Sequence, residues 1–160
     1  MGPDLALQSA AIAEPPEAVD LYDRDFVAWC LATGEALRRG RFEELDIENL
    51  IDEVEAMAKS QVHALDSSLQ VLLLLFLNRQ FQPGERSSSW ESAIVSQRGR
   101  IQGRLEDSPS LRGGMELRLD RSYQIARHKA ALETGTPIED FPSSCPYTVE
   151  QILDDQALPE

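Results

Sequence analysis

The sequence has only two cysteines and no apolar run long enough to cross a membrane. Cys30 and Cys145 lack the close spacing of a metal or redox motif, so we expect free thiols in a reducing, cytoplasmic protein. The longest apolar run, Val71–Leu77, has the sequence VLLLLFL, whereas a membrane span needs about 20 residues. The N-terminus lacks a basic region followed by an apolar run, so we expect no signal peptide. Neither secretion nor a membrane location is predicted.

Basic residues are scarce at both ends of the chain. Residues 1–60 hold 14 acidic and 5 basic side chains, residues 61–132 hold 7 and 10, and residues 133–160 hold 7 acidic and no basic ones. The net charge of −13 argues against a protein that coats nucleic acid. The middle segment has a basic run, but no set of aromatic residues for base stacking, so nucleic acid is not an expected partner. The run consists of Arg118, Arg121, Arg127, His128 and Lys129.

No stretch alternates convincingly between polar and apolar residues, so helices are predicted to make up the fold. In residues 45–81, apolar residues three or four apart keep one stripe in phase, which predicts a single long helix with Asp46 as its N-cap. The stripe consists of Ile47, Ile51, Val54, Ala58, Val62, Leu65, Leu69, Leu72 and Phe76. Val71–Leu77 is apolar on every side, which is typical of a helix enclosed by its neighbours. The pattern leaves open a kink near Lys59 and Ser60.

Three further main helices are predicted around this central one. The first covers residues 20–39, and the third begins at Ser88, which has capping-box spacing with Glu91. Ser108 as N-cap and Pro109 at the first helical position open the fourth. The apolar stripe of this fourth helix consists of Leu111, Met115, Leu119, Tyr123, Ala126 and Ala130.

The two ends of the chain differ in what they predict. Residues 1–19 combine small residues and prolines, and we expect a mobile N-terminal arm. Thr148 and Gln151 have capping-box spacing, which predicts a short C-terminal helix in a docked tail. Residues 20–160 are therefore predicted to form one all-α domain. Its architecture is an up-and-down bundle of four main helices, with a long central helix and a short C-terminal one.

Six stretches from Leu21 to Asp154 are distinctive together and in this order. They read LYDRDFVAW, GRFEELDIENLIDEVEAM, LQVLLLLFLNRQFQP, SSSWESAIVSQRGRI, EDSPSLR and CPYTVEQILD. The chain resembles, through these stretches, a bacterial family catalogued as Domain of Unknown Function 29. The resemblance implies an all-helical bacterial protein and supplies no catalytic residues. Similar sequences often have a histidine where this chain has Leu75 and a tryptophan where it has Arg79, so no role of that histidine carries over.

The best candidate site combines an acidic stripe of the central helix with polar residues of the third helix. Its members are Glu48, Asp52, Glu55, Trp90, Gln97 and Arg98. The three acidic residues are four and three apart, which puts their carboxylates on one helix face. If the third helix packs alongside, Arg98 pairs with Glu55 or Asp52, and Trp90 stacks nearby. One interpretation is an ion-pair network that fixes the helix register; the other is a polar pocket for a small ligand or partner peptide.

Metal and nucleophile chemistry have little support in the sequence. His63 lies one helical turn from Asp66, but di-metal bundles need Glu-x-x-His on two helices. Ser60 and Ile125 stand three residues before His63 and His128, where that motif needs glutamate. We therefore expect no metal, no cofactor and no catalytic residue.

Two classes of function follow from these patterns. Small acidic bundles without paired catalytic groups most often act through their surfaces. We therefore expect a non-enzymatic protein-interaction or regulatory module, with an unknown protein partner or a second copy in a homodimer. The alternative is a small-ligand-binding protein or an enzyme that uses a polar pocket around Glu55, Arg98 and Trp90.

Overall fold

Residues 18–82 and 88–154 are described by the structure, a computed structural model, and these two ranges contain helices and no strand. The helices are α1 (Ala18–Arg24), α2 (Phe26–Arg39), α3 (Ile47–Phe81), α4 (Ser88–Asp107), α5 (Met115–Thr134) and α6 (Val149–Leu153). The all-α class is confirmed, with four main helices (α2 to α5), a long central helix and a short C-terminal one. The arm predicted for residues 1–19 lies outside the described residues, except for the first two residues of α1.

The chain divides into two compact units, residues 1–56 and 57–160. The first unit contains α1, α2 and the start of α3, and the second contains the rest of α3 with α4, α5 and α6. The single domain expected over residues 20–160 stays a prediction.

The first predicted helix, residues 20–39, is wrong in one respect, because the structure has two helices there. Asp25 separates them, and its side chain accepts a hydrogen bond from the backbone N–H of Ala28 at 2.9 Å. An aspartate with a non-helical backbone serves as an N-cap, and so Asp25 starts α2 afresh instead of continuing α1. At the other end Gly40 is left-handed, with φ 69°, and Arg41 N–H donates to the Ala36 carbonyl at 2.9 Å. This is a Schellman stop, which glycine permits without strain.

The start predicted for the fourth helix also differs from the structure. Pro109 opens a short 3-10 turn, Pro109–Arg112, and α5 begins only at Met115. The cause is Gly114, whose left-handed φ of 73° interrupts the helical path. The apolar stripe predicted for this region is nevertheless buried in full; it consists of Leu111, Met115, Leu119, Tyr123, Ala126 and Ala130.

The core of the second unit forms where α3, α4 and α5 contribute their apolar faces. Its fully buried members from α3 and α4 are Leu65, Leu69, Leu72, Leu73, Phe76, Leu77, Ile94, Ile101 and Leu105. The prediction that Val71–Leu77 is enclosed on every side is wrong for Val71, which is 41% exposed. Leu74 and Leu75 are half-buried at the edge of this core.

The chain after α5 packs on the same core. Phe141 and Ile152 are buried, and Tyr123 Oη donates a hydrogen bond to the Pro142 carbonyl at 2.7 Å. The predicted capping box of α6 is confirmed. Gln151 N–H donates to Thr148 Oγ1 at 3.3 Å, and Thr148 N–H donates to Gln151 Oε1 at 2.9 Å.

Candidate functional site

The first two turns of α3 expose a row of large aliphatic side chains. Ile47 is 51% exposed, and Ile51 and Val54 are each 53% exposed. They are four and three residues apart, so they lie on one face of the helix. We call these three residues the α3 open face. Its exposure was not expected from the sequence, which placed them on the same buried stripe as Leu65 and Leu69.

The α3 open face is uncovered because α1 contacts a different side of α3. Tyr22 of α1 donates a hydrogen bond to Glu53 Oε1 at 2.7 Å, and Leu50 is half-buried. At about 100° per residue, Glu53 lies roughly 100° from Val54 and roughly 160° from Ile51 around the helix axis. The apolar row therefore stays free of the contacts that α1 makes.

An aromatic cluster holds α1 and α2 together beside that contact. The Trp29 ring lies 5.0 Å from the Tyr22 ring and 5.7 Å from the Phe26 ring, measured between centroids, and Trp29 is buried. The hydrogen bond to Glu53 raises the pKa of Tyr22 to about 12, because loss of the phenol proton would break the bond beside a carboxylate. These contacts fix the packing of α1 against α2 and α3, and the α3 open face takes no part in them.

The acidic stripe predicted on α3 borders the α3 open face. Glu48, Asp52 and Glu55 are all exposed. Glu48 and Glu55 lie roughly 60° and 40° around the axis from Ile51. Three carboxylates next to three aliphatic side chains make a surface that is apolar in the middle and negatively charged along one edge.

Arg98, the predicted partner of those carboxylates, is buried in the second unit with 1% of its surface exposed. Its Nε donates to the Ile152 carbonyl at 2.8 Å, and one terminal nitrogen lies 3.5 Å from the Gln151 carbonyl. The guanidinium carbon stands 5.3 Å from the centroid of the Phe76 ring. Carbonyls in the last turn of a helix have no partner within that helix. Arg98 therefore caps the C-terminal end of α6.

The other two α4 residues of the predicted site are less deeply buried than Arg98. Trp90 and Gln97 are half-buried. Gln102, which the sequence did not single out, donates from its amide to the Leu153 carbonyl at 3.0 Å and so continues the cap. The three carboxylates belong to the first unit and Trp90, Gln97 and Arg98 to the second. The pairing of Arg98 with Glu55 or Asp52 stays a prediction.

A second exposed surface that mixes apolar and charged residues lies along α5. Leu117 is 55% exposed, Ile125 43% and Leu132 85%. Three exposed basic side chains fall on the same side of the helix, within roughly 120° of arc. This α5 outer face consists of Leu117, Arg121, Ile125, His128, Leu132 and Lys129.

Two other members of the basic run are used inside the second unit. Arg118 forms an ion pair with Asp66 at 3.0 Å, and Arg127 donates to the Ile138 carbonyl at 2.8 Å. In the described ranges, neither Arg121 nor Lys129 has a hydrogen bond or an ion pair. The basic run therefore separates into an internal pair and an outward-facing group.

The remaining polar residues form no metal centre in residues 18–82 and 88–154, where no three His, Cys, Asp or Glu side chains are placed to hold an ion. His63 is exposed, and its neighbour Asp66 forms an ion pair with Arg118.

By length and composition α3 is apolar enough to cross a membrane, with 39% of its most apolar stretch buried. The core helix of a soluble protein passes the same test.

The six ordered stretches and the helices that contain them correspond to a known family profile. The profile described as "Domain of unknown function DUF29" matches residues 21–158. The chain belongs to the DUF29 family. This confirms the resemblance predicted from the sequence. The match includes the α3 open face and the α5 outer face, so both surfaces lie in the family's own domain. No curated protein and no solved structure matches the chain.

Sequence reasoning missed three structural features of this DUF29 chain. The periodicity shows which side of α3 is apolar, but it does not show whether another helix covers that side. The contacts of Arg98 have no sequence signal either, since every residue supplies a backbone carbonyl. The exposed row on α5 could have been found, because Leu117, Ile125 and Leu132 all fall outside the stripe that the periodicity assigned to the core.

Proposed function

We propose that this chain is a non-enzymatic protein-interaction module that binds its partner through the α3 open face. The observation that supports this most is the row formed by Ile47, Ile51 and Val54, each just over half exposed on successive turns. Single exposed aliphatic residues are ordinary on a protein surface, whereas a row at i, i+4 and i+7 is how a helix meets a groove or another helix.

The free energy gained by covering the three side chains of the α3 open face is sufficient to favour binding. Complete burial of an isoleucine or valine side chain contributes about 1.5–3 kcal/mol. Because about half of each side chain is still exposed, covering all three contributes roughly 2–4 kcal/mol. That gain is moderate on its own, so further contacts must add to it. The acidic stripe beside the row supplies them to a partner with basic side chains, and it also discriminates against acidic partners.

The alternative, a small-ligand or catalytic pocket around Glu55, Arg98 and Trp90, has less support. The guanidinium of Arg98 is engaged with the carbonyls of Gln151 and Ile152 and with the face of Phe76. These contacts tie the side chain to α6 and to the core of its own unit.

We also propose a reducing, cytoplasmic location. Both cysteines are free thiols, with Cys30 exposed and Cys145 half-buried. Burial raises the pKa of the Cys145 thiol, which keeps it protonated and slow to react.

The interaction is tested by photo-crosslinking in cells that express the chain at native levels. A photoreactive amino acid replaces Ile51 on the α3 open face, and in a matched variant it replaces Val95 of α4, which is 62% exposed. We expect a covalent adduct to protein at position 51 and little at position 95, with equal melting temperatures. Equal crosslinking at the two positions, or none at either, would contradict the proposal.

A further inference from the structure

Two surfaces of this chain are complementary in character. The α3 open face is aliphatic with a negative edge, formed by Glu48, Asp52 and Glu55. The α5 outer face is aliphatic with positive side chains, formed by Arg121, Lys129 and, when protonated, His128. Each surface offers the other both apolar contact and opposite charge.

The spacing of the two surfaces also matches. Ile47 and Val54 are seven residues apart on α3, and Ile125 and Leu132 are seven apart on α5. Seven residues span about 10 Å along a helix, so each pair presents two anchors at the same separation. Leu132 is the most exposed of these anchors, at 85%.

Pairing of identical surfaces is disfavoured by charge. Two α3 open faces side by side would bring Glu48 and Glu55 of one copy near the same carboxylates of the other. Two α5 outer faces would likewise bring Arg121 and Lys129 near each other. Like charges across an interface suppress such pairings, whereas the mixed pairing places carboxylates opposite cations.

We propose that the partner of the α3 open face is the α5 outer face of a second copy of this chain. The inference rests on the proposed function and names its partner. Each copy offers both surfaces, so the contact leads to reversible self-association.

The test uses the purified full chain in sedimentation-velocity experiments over a wide concentration range. One variant carries Glu48→Lys with Glu55→Lys, and another carries Arg121→Glu with Lys129→Glu. We expect each variant alone to associate roughly tenfold or more weakly than the unaltered chain. An equimolar mixture of the two should associate again, because each reversed surface then meets its opposite on the other variant.

Matched control variants reverse exposed charges away from both surfaces. One carries Glu106→Lys with Glu116→Lys, and the other carries Arg100→Glu with Arg112→Glu. Each should associate like the unaltered chain, and circular dichroism should show all variants to be folded.

Three outcomes overturn the inference. The first is an unaltered chain that stays monomeric at every concentration; the second is reversed variants that associate as well as their controls. In the third, a chain carrying all four substitutions associates normally while the mixture does not, which excludes contact between surfaces of different copies. If the chain is monomeric but position 51 still crosslinks to another protein in cells, the self-association fails and the proposed function stands. If the chain is monomeric and position 51 does not crosslink, both the self-association and the proposed function fail.

Discussion

The two halves of α3 have the same apolar periodicity and opposite surroundings. In the second half, Leu65, Leu69 and Leu72 are completely buried against the core. In the first half, Ile51 and Val54 continue the same stripe but remain 53% exposed. The pattern of residues therefore fixes the phase of the stripe, whereas the presence of a neighbouring helix decides whether the stripe is core or surface.

The difference has a physical cause in what each half packs against. The apolar side of the second half packs against the apolar faces of α4 and α5. The first half has a single apolar side, and α1 contacts α3 at Glu53, away from that side. A helix that keeps its stripe but has no cover among residues 18–82 and 88–154 is suited to receive one from a partner.

The largest expected effect is a difference in the free energy of unfolding between variants in the two halves of α3. Leu72→Ala removes a fully buried side chain from the core, and we expect the free energy of unfolding to fall by about 2–5 kcal/mol. Ile51→Ala removes a half-exposed one, and we expect a loss below about 1 kcal/mol, because the better helix propensity of alanine offsets part of the lost burial. Urea denaturation of the two variants measures both values.

Equal losses in the two variants would break the comparison, because Ile51 would then be packed in the isolated chain. The measurement is made at the lowest protein concentration that the signal allows. Self-association would otherwise cover Ile51 and add to its apparent stability.

The next effect concerns Arg98, which the sequence assigned to the carboxylates of the first half of α3. Arg98→Ala leaves the buried Ile152 carbonyl without its donor, and we expect a loss of about 1–3 kcal/mol in the free energy of unfolding. Hydrogen exchange should show faster amide exchange in α6, since the cap of that helix is lost.

Arg100→Ala is the matched control for Arg98, because Arg100 is an exposed arginine on the same helix. It should change the free energy of unfolding by less than about 0.5 kcal/mol. An Arg98→Ala variant as stable as this control would show that the cap on α6 contributes nothing.

The sequence predicted the parts of this fold that depend on local chemistry and periodicity. The stripe of α5, the long α3 and the capping box at Thr148 all follow from residue types at fixed spacings. The break at Asp25 was missed although aspartate is a good N-cap, because the apolar spacing continues across it. The start of α5 was placed too early, because Pro109 opens only a 3-10 turn and the left-handed Gly114 stands directly before α5.

The candidate site was less predictable than the fold for a different reason. Whether Ile47 and Ile51 are covered depends on where α1 and α2 pack, and this is a tertiary outcome. Arg98 contacts the main-chain oxygens of Gln151 and Ile152, which lie 53 and 54 positions further along the chain. No side-chain pattern encodes such a contact.

A smaller effect is expected at the N-terminus of α3. Asp46 accepts a hydrogen bond from Asn49 N–H at 3.3 Å, and the Asn49 side-chain amide donates to it at 2.7 Å. Because no described helix covers the apolar side of the first half of α3, its first turn depends on this cap more than on packing. Asp46→Ala should destabilise it by about 1 kcal/mol and speed amide exchange in the turn that follows.

Asp52→Ala serves as the control for Asp46, since Asp52 is exposed within the same helix and is not at its end. It should leave exchange in the first turn unchanged. If Asp46→Ala also leaves it unchanged, packing and not the cap holds the first turn, and the contrast between the two halves of α3 is weaker than proposed.

The smallest effect tests the contact that leaves the α3 open face uncovered. The hydrogen bond to Glu53 raises the pKa of Tyr22 to about 12, above the ordinary value of about 10 for a tyrosine in an unfolded chain. A raised pKa means that the folded state favours the protonated phenol. The contribution of this contact to stability is therefore fully present below about pH 10 and is lost as the pH rises towards 12.

Glu53→Gln should return the pKa of Tyr22, measured by tyrosinate absorbance, towards its ordinary value, whereas Glu48→Gln should not. A Tyr22 that titrates normally in the unaltered chain would place α1 elsewhere on α3 and remove the reason why Ile51 and Val54 are exposed.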